Sequence, residues 1–238
     1  MPASRFASVI FDCDSTLSAI EGIEELAHAH REEIARLTEA AMRGEIPLED
    51  VYGRRLELVR PTREQVDALG ERYVRTLVTD AHETVAALLT EGIEVRVMSG
   101  GIRQAVVTLA LALGLTERAV AAVEVHFDDN GAYAGFDSTS PLARSGGKRT
   151  VLERWMPELP RPVMLVGDGA TDLEARPPAD MFVAFAGVVE RPAVIDAADV
   201  VVRTPSLAPI VVLALGGVAP RDPVAREVFE LGRSLMRV

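Results

Sequence analysis

The chain has 238 residues, 48% of them hydrophobic and 26% charged, and its 25 Lys and Arg against 36 Asp and Glu give a net charge of −11. That length can bury a sizeable core as one large domain, or one with a small companion, and the acidity argues against a nucleic-acid partner, which needs a basic stripe, and against an anionic membrane surface. The lone cysteine, Cys13, cannot form an internal disulfide, and the start of the chain lacks a basic stretch followed by an apolar run, so the chain reads as cytoplasmic with no membrane partner.

In chain order, the β-branched run Phe6–Phe11 predicts a first strand ending in Asp12-Cys13-Asp14-Ser15-Thr16. Residues 18–77 then read as helical throughout, with Leu26, Ile34, Leu37, Leu56, Leu58, Val66 and Leu69 as apolar markers and Gly44, Pro47 and Pro61 as punctuation. A stretch of that kind after the first strand predicts a helical cap inserted into a discontinuous core of residues 1–17 and 78–238. The core resumes with a strand at Ile93–Met98, a Ser99-Gly100-Gly101 turn and a helix at Ile102–Leu113. Asn130-Gly131, between short apolar-aromatic runs in Glu124–Asp137, predicts a hairpin.

Ser145-Gly146-Gly147 leads into a helix over Lys148–Trp155, and a strand at Val163–Val166 ends in Gly167-Asp168-Gly169-Ala170-Thr171-Asp172. Strands at Met181–Phe185 and Val200–Val202 flank a helix at Pro192–Ala198. Residues 216–238 form an extra amphipathic segment through Val224, Val228, Phe229, Leu231 and Leu235, expected to pack on the core. Strands alternating with helices imply an α/β fold: a doubly wound, mostly parallel, Rossmann-like sheet with an inserted helical cap domain.

In such sheets ligands bind beyond the carboxyl ends of the strands. Three strand ends here bring together carboxylates, hydroxyls and glycines. Asp12 and Asp14, two residues apart on an extended chain, point to one side and would repel unless a hard divalent cation joined them, with Asp168 completing an oxygen-ligand set of the kind Mg²⁺ prefers. The alternative is a turn or capping role, which Asp-x-Asp alone would favour and the later Gly-Asp-Gly-x-x-Asp opposes. Ser99-Gly100-Gly101 could offer backbone N–H groups to an anion or be no more than a turn. Lys148 is the single lysine of the chain, every other cation being arginine. It stands in the first turn of a helix, beside the positive end of the dipole, and that misfit calls for a nearby anion.

Taken in order, Asp12-Cys13-Asp14-Ser15-Thr16, Ser99-Gly100-Gly101, Lys148 and Gly167-Asp168-Gly169-x-x-Asp172 resemble the motifs of the haloacid dehalogenase superfamily of phosphotransfer enzymes. Glu21-Gly22-Ile23-Glu24-Glu25-Leu26-Ala27, Ala41-Met42-Arg43-Gly44, Gly131-Ala132-Tyr133-Ala134-Gly135-Phe136 and Pro177-Pro178-Ala179-Asp180 are similar to its phosphoserine-hydrolysing branch, so that the resemblance spans residues 6–204.

The resemblance implies a Mg²⁺-dependent phosphomonoesterase of serine biosynthesis that converts L-phosphoserine to L-serine and phosphate through an aspartyl-phosphate. It makes Asp12 the nucleophile, Asp14 the general acid and base, and Lys148 a stabiliser of phosphoryl charge. Asp12, Asp14 and Asp168 would hold the metal, Asp14 through its backbone carbonyl, and Asp172 would orient Lys148 or a metal-bound water. Ser99 and the Gly100 N–H would hold the phosphoryl group. Thr171 would help there or simply fill a helix turn. Glu21 matches the position for the substrate ammonium and Arg55 the one for its carboxylate. Met42 matches an apolar gate, or is a core residue of the cap. One departure is Val123, where the family usually carries asparagine. It leaves open a related phosphatase or phosphotransferase for a different small phosphomonoester. A homodimer stands as a candidate assembly.

Overall fold

The computed structural model describes residues 5–27, 30, 32–34, 36–37 and 48–236. Met42, with the rest of the 41–44 motif, lies outside the described residues.

Strand β1 (Ser8–Phe11) has every side chain buried, which explains why it reads as a continuous apolar run rather than an alternating one. It pairs in parallel with β2 (Glu94–Ile102) on one side and with β6 (Val163–Gly167) on the other. The chain builds outward from β1 in both directions, through β3 (Val120–Val123) beyond β2 and through β7 (Met181–Phe185) and β8 (Val200–Val202) beyond β6. The resulting sheet has the order β3-β2-β1-β6-β7-β8 with all neighbours parallel. The order reverses at β1, so a crevice opens at the carboxyl ends of β1, β2 and β6. This is the doubly wound α/β sheet expected from the sequence.

Two details differ from the expectation. Edge strand β3 carries only Val-Ala-Ala-Val, too little apolar patterning to stand out from its surroundings. The Ser99-Gly100-Gly101 stretch is not a turn: β2 runs on to Ile102, with a register irregularity against β3 between Met98 and Ile102. The glycines therefore fall where pairing with β3 is interrupted, between Met98↔Ala121 and Ile102↔Val123. The expected hairpin is present as β4 (Val125–Phe127) and β5 (Tyr133–Phe136), with Gly131 in the left-handed region at its tip.

Between β1 and β2 lie α1 (Gly22–Leu26), α2 (Leu48–Val59), α3 (Arg63–Arg75) and α4 (Ala81–Thr90). Helix α3 starts on a capping box. Thr62 Oγ1 accepts from the Gln65 N–H at 3.2 Å, and Gln65 Oε1 accepts from the Thr62 N–H at 2.8 Å. Its buried face of Val66, Leu69 and Tyr73 packs along the core helix α5 (Arg103–Ala112).

The described residues after β5 also form α6 (Gly147–Trp155), α7 (Ala170–Glu174), α8 (Pro192–Ala197), α9 (Ala208–Ala214) and α10 (Pro223–Leu235). Helix α10 begins at Asp222, whose side chain caps the Ala225 N–H at 2.9 Å, and packs on α9 and α4. Its buried face is Ala225, Val228, Phe229 and Gly232, so the expected apolar stripe is corrected: Val224 and Leu231, 65% and 42% exposed, fall outside it. Among the described residues no helix is long and apolar enough to cross a membrane.

Candidate active site

The Asp12 N–H donates to the Val166 carbonyl at 2.9 Å, which extends the β1–β6 ladder by one residue and aims Asp12 into the crevice. Asp168 follows directly on the end of β6, and Asp172 lies one helical turn on, in α7. Oxygens of Asp12, Asp168 and Asp172 lie within 4.8 Å of one another, and all three residues are buried. Gly167 makes this possible, because a Cβ there would stand 2.2 Å from the Asp172 carboxyl carbon. Asp172 folds back over the strand end, where its Oδ2 accepts from the Gly169 N–H at 3.0 Å.

Lys148 bridges this group. Its Nζ donates to Asp172 Oδ1 at 2.7 Å and stands 2.8 Å from Asp12 Oδ1. Burial alone would pull the ammonium's pKa down, but Asp12 and Asp172 override it and hold Lys148 protonated. The misfit of a cation in the first turn of α6 is thus resolved by two carboxylates. Beyond that ion contact, Asp12 Oδ1 is buried with no hydrogen-bond partner. Asp168 accepts from Arg191 Nε at 2.9 Å and from Thr16 Oγ1 at 3.4 Å, yet burial and the Asp12 charge still push its pKa up. Three buried carboxylates with oxygens within 4.8 Å of one another make an oxygen-only donor set that fits a hard divalent cation.

Asp14 is not part of that group. Ser15 takes a left-handed φ of 52°, and the chain folds over so that Asp14 Oδ1 accepts from the Tyr73 hydroxyl at 2.6 Å and the Gly22 N–H at 2.7 Å. Ser99 Oγ donates to Asp14 Oδ2 at 3.3 Å. Burial and then the Asp12 charge push the Asp14 carboxyl up to about 6, against the pull of the Tyr73 and Gly22 hydrogen bonds. A carboxyl tuned near neutrality can both give and take a proton. Gly22 is required for this contact, since a Cβ there would lie 2.0 Å from the Tyr73 hydroxyl. Glu21 accepts from Ser15 Oγ at 2.7 Å, and burial followed by the Asp14 charge raises it to about 7.

Asp12, Asp14 and Gly22 line one pocket. Gly100, Lys148, Asp168, Thr171 and Arg191 face it from the core side, Glu21 from the residue before α1, and Tyr52 and Arg55 from α2. Ser99 is fully buried and turned to Asp14 rather than to the pocket surface. Val123 is fully buried in the hydrophobic core and is not among the residues lining the pocket. Sequence reasoning did not find Tyr73 and Arg191. Tyr73 sits four residues after Leu69 and reads as one more member of an apolar helix stripe. Arg191 lies in a stretch without a motif, and only folding brings it to Asp168, with Glu21 3.6 Å away.

A parallel α/β sheet with this acidic crevice defines a class of enzyme, and a family model for haloacid dehalogenase-like hydrolases matches residues 9–175. The chain belongs to that family. It is 40% identical over 195 residues to the phosphoserine phosphatase of Bos taurus, covering 81% of this chain and 87% of the relative. A substrate-bound phosphoserine phosphatase complex is similar in structure with a TM-score of 0.73 at 27% identity, covering 87% of this chain and 97% of that one. A phospho-aspartyl intermediate analogue of phosphoserine phosphatase gives 0.71 at 27% identity, covering 87% and 98%.

Proposed function

We propose that this chain is a Mg²⁺-dependent phosphatase that hydrolyses L-phosphoserine to L-serine and phosphate. One observation carries the reading: two carboxylates two residues apart occupy opposite environments, Asp12 beside the Lys148 ammonium and Asp14 against neutral donors with its pKa raised to about 6. The 40% identity to a phosphoserine phosphatase supports the substrate.

In this reading an Asp12 carboxylate oxygen attacks phosphorus, forming an aspartyl-phosphate as the bond to the seryl oxygen breaks. Asp14, protonated, gives its proton to that oxygen and L-serine leaves. The Asp14 carboxylate then takes a proton from water, which attacks phosphorus, breaks the acyl-phosphate bond and restores Asp12. Lys148 stabilises charge on the phosphoryl oxygens throughout. Asp12, Asp168 and the Asp14 backbone carbonyl would hold Mg²⁺, with Asp172 supporting Lys148 or joining the carboxylates around the ion. When bound, the ion neutralises the phosphoryl group so that an anionic nucleophile can approach. The Gly100 N–H and Thr171 serve the phosphoryl group, Glu21 the substrate ammonium and Arg55 its carboxylate. The helices of residues 18–77 act as the cap that shields the site from water.

The test is phosphate release from L-phosphoserine against a panel of small phosphomonoesters, with and without Mg²⁺ and with acceptor alcohols present. Strong preference for L-phosphoserine and loss of activity on chelation are expected. Equal turnover across the panel, or transfer to the alcohols in place of hydrolysis, overturns the reading. Val123, buried away from the pocket, gives that second outcome no support.

A further inference from the structure

Two polar groups of α2 are left without partners. The Tyr52 hydroxyl and Arg55 Nε are both buried and make no hydrogen bond. The two residues are three apart on one helix, hence neighbours on one face, and both line the pocket. Tyr52 is 5% exposed, and its ring is fixed against Phe136 of β5, with centroids 5.4 Å apart at 57°. Burying a hydroxyl with no acceptor is costly, and native proteins rarely leave one so without a reason. The acids that line this pocket are already engaged within the chain: Asp12 by Lys148, Asp14 by Tyr73, Gly22 and Ser99, Glu21 by Ser15, and Asp168 by Arg191 and Thr16. With no acceptor for the Tyr52 hydroxyl among its described neighbours, a bound ligand can supply one, and the neighbouring arginine selects an anion.

We infer that the Tyr52 hydroxyl is a substrate-specificity group that donates a hydrogen bond to the carboxylate held by Arg55. The inference rests on the phosphoserine reading above and adds Tyr52 to the groups that distinguish an amino-acid phosphomonoester from one without a carboxylate. A site built to donate to a substrate group discriminates strongly against analogues that lack it, because the donor then stays unpaired.

The experiment compares wild type with Tyr52→Phe on L-phosphoserine and on O-phosphoethanolamine, which keeps the phosphate and ammonium and lacks the carboxylate. The substitution preserves the ring and its contact with Phe136. For L-phosphoserine KM is expected to rise about tenfold with kcat within twofold, the size of one hydrogen bond to a charged acceptor. The ratio of kcat/KM for L-phosphoserine over O-phosphoethanolamine should fall by the same factor. Melting without substrate should be unchanged or slightly higher, since no bond within the chain is lost. An unchanged ratio, or a lower Tm with KM unaltered, overturns the role of Tyr52 while leaving the function intact. Wild-type protein inactive on L-phosphoserine overturns both.

Discussion

The two walls of the pocket handle polar groups in opposite ways. On the core side charge is matched within the chain: Lys148 stands between Asp12 and Asp172, and Arg191 lies on Asp168. On the helical side the Tyr52 hydroxyl and Arg55 Nε have no partner, while Tyr73, buried behind that wall, donates a neutral hydroxyl to Asp14. Groups satisfied by the chain hold a rigid geometry, which suits bond making. Groups left over await a ligand, which suits recognition. The difference separates residues expected to govern kcat from residues expected to govern KM.

Substitutions on the core side should break this comparison most severely. Asp12→Asn removes the proposed nucleophile and should cost at least about 10⁴-fold in phosphate release with the fold retained by circular dichroism. Lys148→Arg should lose about 10²- to 10³-fold, because a planar fork cannot replace a compact ammonium seated within 2.8 Å of two carboxylates in a closed space. A Lys148→Arg enzyme of near-normal rate would mean that the core wall needs charge alone.

Tyr73→Phe sharpens the comparison, since Tyr73 lies on the helical side but serves Asp14. It should lower kcat about tenfold rather than raise KM. It should also move the pH limb set by Asp14 upward, because the lost hydrogen bond favoured the carboxylate. An effect on KM alone would place Tyr73 with the recognition groups.

The smallest effect is on stability. Burial, with repulsion from Asp12 on Asp14 and from Asp14 on Glu21, raises Asp14 to about 6 and Glu21 to about 7, above their ordinary values near 4. A carboxyl whose pKa is higher folded than unfolded favours the folded state below the ordinary value, and that advantage is lost as pH rises through the folded value. Metal-free protein should therefore melt at a lower temperature at pH 8 than at pH 5, by on the order of 5 °C, and Mg²⁺ should restore more at pH 8 than at pH 5. A scanning fluorimetry series across pH, with and without Mg²⁺, checks both signs.

The strand ends were the most legible part of the chain. The run before Asp12 and the Gly167-Asp168-Gly169 turn are local patterns, and each puts its acid at a position that strand geometry alone aims into the crevice. Arg55 and Glu21 emerged only through the family resemblance, because an isolated Arg or Glu on a helix reads as ordinary surface charge. The stripe of α10 was misjudged at Val224 and Leu231, since an amphipathic pattern gives a broad face and the neighbours decide which part of it is covered.

The sequence by itself determined the alternation of strands and helices, the acids at the strand ends and the one lysine beside them, because period, turn chemistry and chain order are properties of short segments. Only the tertiary structure decided that Tyr73 reaches Asp14 across 59 residues, that Arg191 reaches Asp168 across 23, and that Tyr52 ends with a buried and unpaired hydroxyl. Those pairings depend on how helices pack on the sheet and on each other, and no local pattern encodes the direction in which a side chain finally points.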